Sequence, residues 1–276
     1  MMELDLFQAE QVAQAAARIA GTLIREWIGR PKTTTEKSSP HDLVTEVDKA
    51  CQEAIQKHLS KEFPNSSFLG EEGVAPGSEA ATRAAAEANR DFLWVVDPID
   101  GTLNFIRGIP VCTVSIGLLY EGRDVVGVIY DPMRDEMFSA SEASGATLNG
   151  QPMHVSQEAN LTNAVLASGF PTGAYRGKNA EQIKRFGYHV RNVRALGSAA
   201  IHLAYVAAGR LDGFFENDLN AWDVTAGATL VRLAGGLVTD VEGQSFSLDT
   251  RHIAATNGKI HQQLLHDLDV ELPLEF

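Results

Sequence analysis

Cysteine is nearly missing from this chain: Cys51 and Cys112 are the only two among 276 residues. Neither stands in a paired Cys or Cys/His spacing, which argues against a disulfide framework or a thiolate zinc site. Cys51 falls at helical spacing with Val47, Ile55 and Leu59, and Cys112 alternates in phase with Val114 and Ile116. Both are expected as core thiols in a reducing cytoplasm. Long apolar runs are also lacking. No stretch approaches the ~20 residues of a membrane helix, so no membrane partner is expected. The N-terminal MMELDLFQAEQ is acidic and amphipathic, unlike the basic-then-apolar start of a secretory signal. Positive charge is scarce as well. With 23 Lys and Arg against 36 Asp and Glu, the formal net charge is −13. A phosphate backbone would be repelled over most of such a surface, so nucleic acid is not an expected partner.

What is present is a chain long enough to bury a full core, with no internal repeat. Residues 4–28 predict a helix with Val12, Ala16, Ile19, Leu23 and Trp27 on its apolar stripe. GRPKTTTEKSSPHD breaks it as a loop, and a second helix is expected from about Thr45 to Phe63. SSFLG reads as a short strand, and VAPGSEAATRAAAEANR as an exposed excursion with a weak helix. From Phe92 the texture is β, with an antiparallel meander through VCTVSIGLLYEG, DVVGVIYDP and EMFSASEA. After GATLNGQPMHVS, strands alternate with helices. The expectation is an α+β half over residues 1–145 followed by an α/β half over 146–276.

Acidic residues gather at element ends. Glu71 and Glu72 follow the SSFLG strand, and Asp97 and Asp100 follow the strand expected to end at Val96. Asp223 opens a helix just after the strand carrying Glu216, and Asp42 and Asp48 flank the start of the second helix. Two like charges placed this close repel, and burying them is costly unless a cation shares the site. Oxygen-only donors suit a hard cation such as Mg²⁺, and no His/Cys cluster competes for zinc. Gly101-Thr102 can form a turn whose free N–H groups hold phosphate oxygens. Each feature has an ordinary alternative. A lone D-x-x-D is usually a solvated turn, Asp223 alone could complement a helix dipole, and Asp48 could be a surface charge. The joint arrangement describes metal-assisted in-line hydrolysis.

The motifs DPIDGTLNF and WDVTAGATLVRLAGG resemble the two signatures of the inositol monophosphatase family. KSSPHDLVTEVD and FLGEE resemble two further family blocks in the expected order, so the likeness runs from about Glu10 to Asn257. The resemblance implies a layered α/β/α/β/α sandwich, Mg²⁺-dependent and lithium-sensitive hydrolysis of a small phosphorylated polyol, and a homodimer. It implies that Glu71, Asp97 and the Ile99 carbonyl hold a first metal. Asp97, Asp100 and Asp223 hold a second, and Glu71 faces a third through water. Thr102 positions the attacking water with Asp48, and the Gly101 and Thr102 amides hold the phosphate. Substrate hydroxyls meet Asp100, Ala199, Glu216 and Asp223. Lys37 falls in the loop matching the family's metal-site flap, as an exposed charge or an electrostatic contributor. Relatives with the same core act on fructose 1,6-bisphosphate, NADP, histidinol phosphate or adenosine 3′,5′-bisphosphate. Asn104 favours the inositol monophosphatases over the nucleotide-bisphosphate branch. Arg176 and Lys178 could bind a second phosphate, and a regulatory binding protein on the same fold is a further alternative.

Overall fold

Helix α1 (Leu6–Trp27) starts at Asp5, whose carboxylate accepts the Gln8 amide and satisfies one of the unpaired first-turn N–H groups. Its core face differs from the expected stripe. Ala9, Ala13, Ala16, Ala17, Ala20 and Ile24 are buried, while Ile19 is exposed. Two periodic stripes overlap on this helix. The one with small side chains faces inward because it lets α1 lie close against its neighbours, whereas large side chains would hold it away. The computed structural model describes residues 4–30, 33–36, 43–171 and 173–269. Lys37 and Asp42 lie outside the described residues.

Strand β1 (Thr34–Glu36), inside the segment expected to be a loop, pairs antiparallel with β2 (Leu43–Thr45) just after it. Helix α2 (Glu46–Glu62) follows, then β3 (Ser67–Gly70), a 3₁₀ turn at Glu71–Gly73, and α3 (Ser78–Glu87). Next come β4 (Phe92–Asp100) and the short α4 (Thr102–Arg107). The expected meander is β5 (Thr113–Tyr120), β6 (Arg123–Asp131) and β7 (Glu136–Ser141), extended by β8 (Gly145–Leu148) and β9 (Gln151–Pro152). The remainder runs β10 (Val165–Ala167), α5 (Arg176–His189), β11 (Asn192–Arg194), α6 (Ala199–Ala207) and β12 (Gly213–Glu216). It closes with α7 (Ala221–Leu233), β13 (Leu237–Asp240), β14 (Ile253–Thr256) and α8 (His261–Asp269).

Strands β3 to β9 form a seven-stranded sheet in chain order, antiparallel except for β3 and β4. The second sheet has five strands in the order β11-β10-β12-β14-β13. Helices α1 and α2 cover one face of the large sheet over Trp94, Val96, Ile116 and Val126. Helices α6 and α7 fill the space between the sheets, and α5 and α8 cover the outer face of the small one. Alternation sorts side chains between these layers: Phe214 points to α6 and α7, while its neighbour Phe215 points to α5 and α8. The result is an α/β/α/β/α sandwich.

Helix α7 is buried along nearly its whole length because it lies between two sheets. Gly117 and Gly127 are direct register partners on β5 and β6 beneath it. A Cβ at Gly127 would stand 2.3 Å from the Ala226 carbonyl oxygen, and one at Gly117 would stand 2.7 Å from Thr225 Cγ2. This glycine pair lets the N-terminal half of α7, with Asp223, settle onto the sheet that carries Asp97 and Asp100.

Candidate active site

Strand β4 does not stop at Val96 as expected but continues to Asp100. Asp97 lies opposite Ser115 and Asp100 opposite Thr113, so three residue steps on β4 match two on β5. This is a β-bulge, and it accommodates Pro98, which cannot donate to a regular ladder. In an uninterrupted strand, residues three apart point to opposite faces. The extra residue restores the phase, so Asp97 and Asp100 share the face of Ser115 and Thr113, towards α6 and α7. Ser115 Oγ donates to the Trp222 carbonyl at 3.1 Å, and Thr113 Oγ1 lies 3.3 Å from Ser198 Oγ.

Gly101 follows the bulge with φ of +94°, as the N-cap of α4. No side chain caps this helix, which leaves its first amides available to an anion. Thr102 Oγ1 lies 3.0 Å from the Ile99 carbonyl oxygen and 3.1 Å from Asp48 Oδ1. Asp48 is buried, not a surface charge. Its Oδ2 accepts the Thr45 amide at 2.9 Å and the Thr45 hydroxyl at 2.5 Å in the capping box of α2. Burial pushes the Asp48 carboxyl upward and the charge of Glu71 adds to that, while the Thr45 and Thr102 hydrogen bonds oppose it.

A cleft of about 480 Å³ opens beside these residues, lined by Glu71, Asp100, Ala199, Glu216 and Asp223 together with Ser198 and His202. Asp97, Ile99, Gly101, Thr102 and Asp48 do not line it; they stand next to Asp100 along the chain or through Thr102. Asp100 Oδ2 accepts the Ser198 hydroxyl at 2.7 Å and the Ala200 amide at 2.6 Å. The amides that begin α6 thus serve Asp100, and Ala199 meets the cleft as a largely buried wall residue. Asp97 Oδ1 accepts the Ile99 amide at 2.9 Å, and Asp223 Oδ2 accepts the Asn220 amide at 2.7 Å. Glu216 is buried and its carboxylate has no hydrogen bond among the described residues.

The electrostatics are those of crowded acids. Burial, with the charge of Glu71, pushes Asp100 up to about 6 against the opposing hydrogen bonds from Ser198 and Ala200. Asp223 is driven well above the usual carboxylate range by burial and by Asp100 and Glu71, with partial relief from Arg251. Glu216 is raised by burial and by Asp223 and Asp100. A divalent cation would remove this repulsion, and the donors on offer are carboxylate and carbonyl oxygens, which suit a hard ion. Among the described residues, no three His, Cys, Asp or Glu side chains are already drawn in to metal-ligand spacing. The carboxylates instead rest on neighbouring donors, among them the Ile99 amide for Asp97, the Ser198 hydroxyl and Ala200 amide for Asp100, and the Asn220 amide for Asp223. The donor set of carboxylate and carbonyl oxygens fits the ion, which would draw the carboxylates inward. Cys51 and Cys112 are core thiols, as expected.

A model of the inositol monophosphatase family matches residues 5–272. The chain belongs to the inositol monophosphatase family. It is 42% identical over 264 residues to inositol monophosphatase 2 of Solanum lycopersicum, covering 94% of this chain and 97% of that one. It is 40% identical to the Nus factor SuhB of Pseudomonas aeruginosa, covering 95% and 96%. Among solved structures, the extragenic suppressor protein SuhB of Bartonella henselae superposes with a TM-score of 0.86 at 36% identity, covering 96% of this chain and all of that one. The Thermotoga maritima inositol monophosphatase gives 0.83 at 34% identity, covering 93% and 94%. The family is one of phosphatases acting on small phosphorylated substrates, and its members are generally metal-dependent. Among the described residues no helix is long and apolar enough to cross a membrane.

Several residues around the cleft had no sequence signal. Asp218, with φ of +62°, accepts from Ser78 Oγ at 3.1 Å and pairs with Arg251 at 2.7 Å. Arg251 also donates to Asn220 Oδ1 at 2.9 Å, so one side chain ties both ends of segment 218–220 at the cleft. Arg176 and Lys178 do not line the cleft. The Arg176 guanidinium stacks over Phe170 and donates to the Phe170 and Pro171 carbonyls, holding its own loop. Asn104 donates to the Val111 and Leu196 carbonyls at 2.8 and 2.7 Å, a staple between two loops.

Proposed function

We propose that this protein is a Mg²⁺-dependent phosphomonoesterase that releases phosphate from inositol monophosphate. The observation that carries the reading is Thr102, whose hydroxyl contacts Asp48 immediately after the paired Asp97 and Asp100. Thr102 donates its proton to Asp48, leaving its lone pairs to accept a hydrogen from the attacking water. Glu71 stands close enough to Asp48 for the two charges to interact, and assists in taking up the proton. Glu71, Asp97 and the Ile99 carbonyl would hold one ion, Asp97, Asp100 and Asp223 would hold another, and Glu71 would face a third through water. Bound Mg²⁺ supplies a water of lowered pKa and neutralises charge on the leaving oxygen. The uncapped amides at Gly101 and Thr102 take phosphate oxygens.

Asp100, Ala199, Glu216 and Asp223 receive the alcohol half. Glu216 selects it, because its buried carboxylate is free to accept substrate hydroxyls. Li⁺ competing for the second ion's ligands would inhibit, and we place the enzyme in the cytoplasm as a homodimer. The relatives called Nus factors are about as similar as those called inositol monophosphatases, which favours a binding role on the same fold as a second reading. That reading leaves the repelling acids of the cleft without a purpose. The test is a hydrolysis panel over inositol, sugar and nucleotide phosphates, with Mg²⁺ and with chelator. Inositol monophosphate should lead, activity should vanish with chelator, and Asp97→Asn should cost orders of magnitude. Undiminished turnover in metal-free buffer would overturn the reading.

A further inference from the structure

Helix α5 turns two amide side chains inward, Asn179 and Gln182, and both are buried. Asn179 uses both ends of its amide. Its Nδ2 donates to the Gly169 carbonyl at 3.0 Å, and its Oδ1 accepts the Asn217 backbone amide at 3.2 Å and Asn217 Nδ2 at 2.6 Å. Gln182 Oε1 accepts from the same Asn217 Nδ2 at 2.9 Å. The two segments joined in this way are those that flank Glu216. Asn217 follows it in the chain, and Gly169 lies against its carboxylate. A Cβ at Gly169 would come within 2.3 Å of Glu216 Oε2 and 2.5 Å of Oε1.

The ladder between β10 and β12 does not hold this arrangement, although Glu216 is still paired with Ile253 of β14. Pairing of β10 with β12 ends at Ala167 and Phe214, before either Gly169 or Glu216 is reached. Asn179 supplies a side-chain rung where the ladder has run out, and so sets the separation of Gly169 from Asn217. We propose that Asn179 is a positioning residue for substrate selection, fixing the slot that aims the Glu216 carboxylate at the alcohol half of the substrate. The proposal rests on the reading of Glu216 as the selector of that alcohol. The Glu216 carboxylate has no hydrogen bond among the described residues, so, while its backbone is paired with Ile253 of β14, its side-chain aim depends on the walls around it.

The experiment uses the full-length protein with Mg²⁺ and two substrates, inositol 1-phosphate and p-nitrophenyl phosphate. Asn179→Ala should raise KM for inositol 1-phosphate by ~10-fold, the worth of one well-aimed hydrogen bond. Its kcat, and both constants for p-nitrophenyl phosphate, should stay within about twofold. In a Glu216→Gln background, Asn179→Ala should add nothing further, because it acts through the carboxylate already removed. Losses equal for both substrates, following the thermal midpoint and multiplying in the double variant, would make Asn179 a structural residue only and overturn the proposal. The Glu216→Gln variant alone separates the two levels. If it treats both substrates alike, or if the unaltered protein hydrolyses neither, the reading of the site fails and this proposal falls with it. If Glu216→Gln discriminates and Asn179→Ala does not, the positioning role alone fails. Should Asn179→Ala not fold, Gly169→Ala crowds the carboxylate from the opposite wall. It should give the same selective rise in KM, and its absence would overturn the proposal.

Discussion

Thr102 and Asp48 lie 54 residues apart in the chain, and their side-chain oxygens lie 3.1 Å apart in the fold. The contact joins the capping box of α2 to the first residue of α4, so a helix cap and a hydroxyl next to the proposed phosphate site share one carboxylate. Removing the hydroxyl should lower kcat by ~10²–10⁴-fold, the usual worth of general-base help. Thr102→Ala should do this with Mg²⁺ affinity near normal. Adding Asp48→Asn should cost little more, since the two act on one proton. Multiplicative losses in the double variant would show that they work separately.

Gly101 occupies a left-handed conformation that other residues enter at a cost, and space around it is short. A Cβ there would stand 3.0 Å from the Val111 carbonyl oxygen and 3.1 Å from that of Gly197. Gly101→Ala should therefore destabilise by roughly 1–3 kcal/mol and displace the start of α4, lowering kcat/KM. Urea unfolding alongside phosphatase assays checks both. An unchanged midpoint would mean that the turn relaxes freely.

Glu216 illustrates how a site can work against stability. Its folded-state pKa lies above the ordinary value because of burial and the neighbouring Asp223 and Asp100. The folded protein therefore holds a proton that the unfolded chain gives up more readily, and stability declines as pH rises through the folded pKa. In metal-free protein Glu216→Gln should raise stability at pH 8 by roughly 1–3 kcal/mol, and the gain should vanish near pH 4. A gain of the same size at both pH values would point to packing instead.

His202 carries the opposite sign. It is fully buried, its Nε2 accepts the Leu196 amide at 3.0 Å, and burial holds its pKa down at about 3. Below pH 6.5 the unfolded chain takes up a proton that the folded protein refuses, so stability falls as pH drops from 6.5 towards 3. This residue accounts for ~1.4 kcal/mol per pH unit within that window. His202→Gln, which keeps an acceptor for Leu196, should make the acid limb shallower by about that slope. Parallel acid limbs would sink the assignment.

By itself the sequence determined the main helices, the antiparallel meander, the family and the inventory of acids, because these depend on local periodicity and on motifs that can be counted. The second helix from about Thr45, the strand from Phe92 and the turn at Gly101 were all visible in that way. It did not determine which stripe of α1 faces inward, since Ala16 belongs to both candidate stripes and only the closeness of packing chose between them. Nor did it show that Asp97 and Asp100 share a face. Their spacing of three puts them on opposite sides of a plain strand, and the bulge around Pro98 reverses this only against β5. The partnership of Thr102 with Asp48, the rung from Asn179 to Gly169 and Asn217, and the tie from Arg251 to Asp218 and Asn220 were decided by tertiary structure alone. Each joins residues whose proximity comes from sheet order and helix docking, and no local pattern in the chain carries that information.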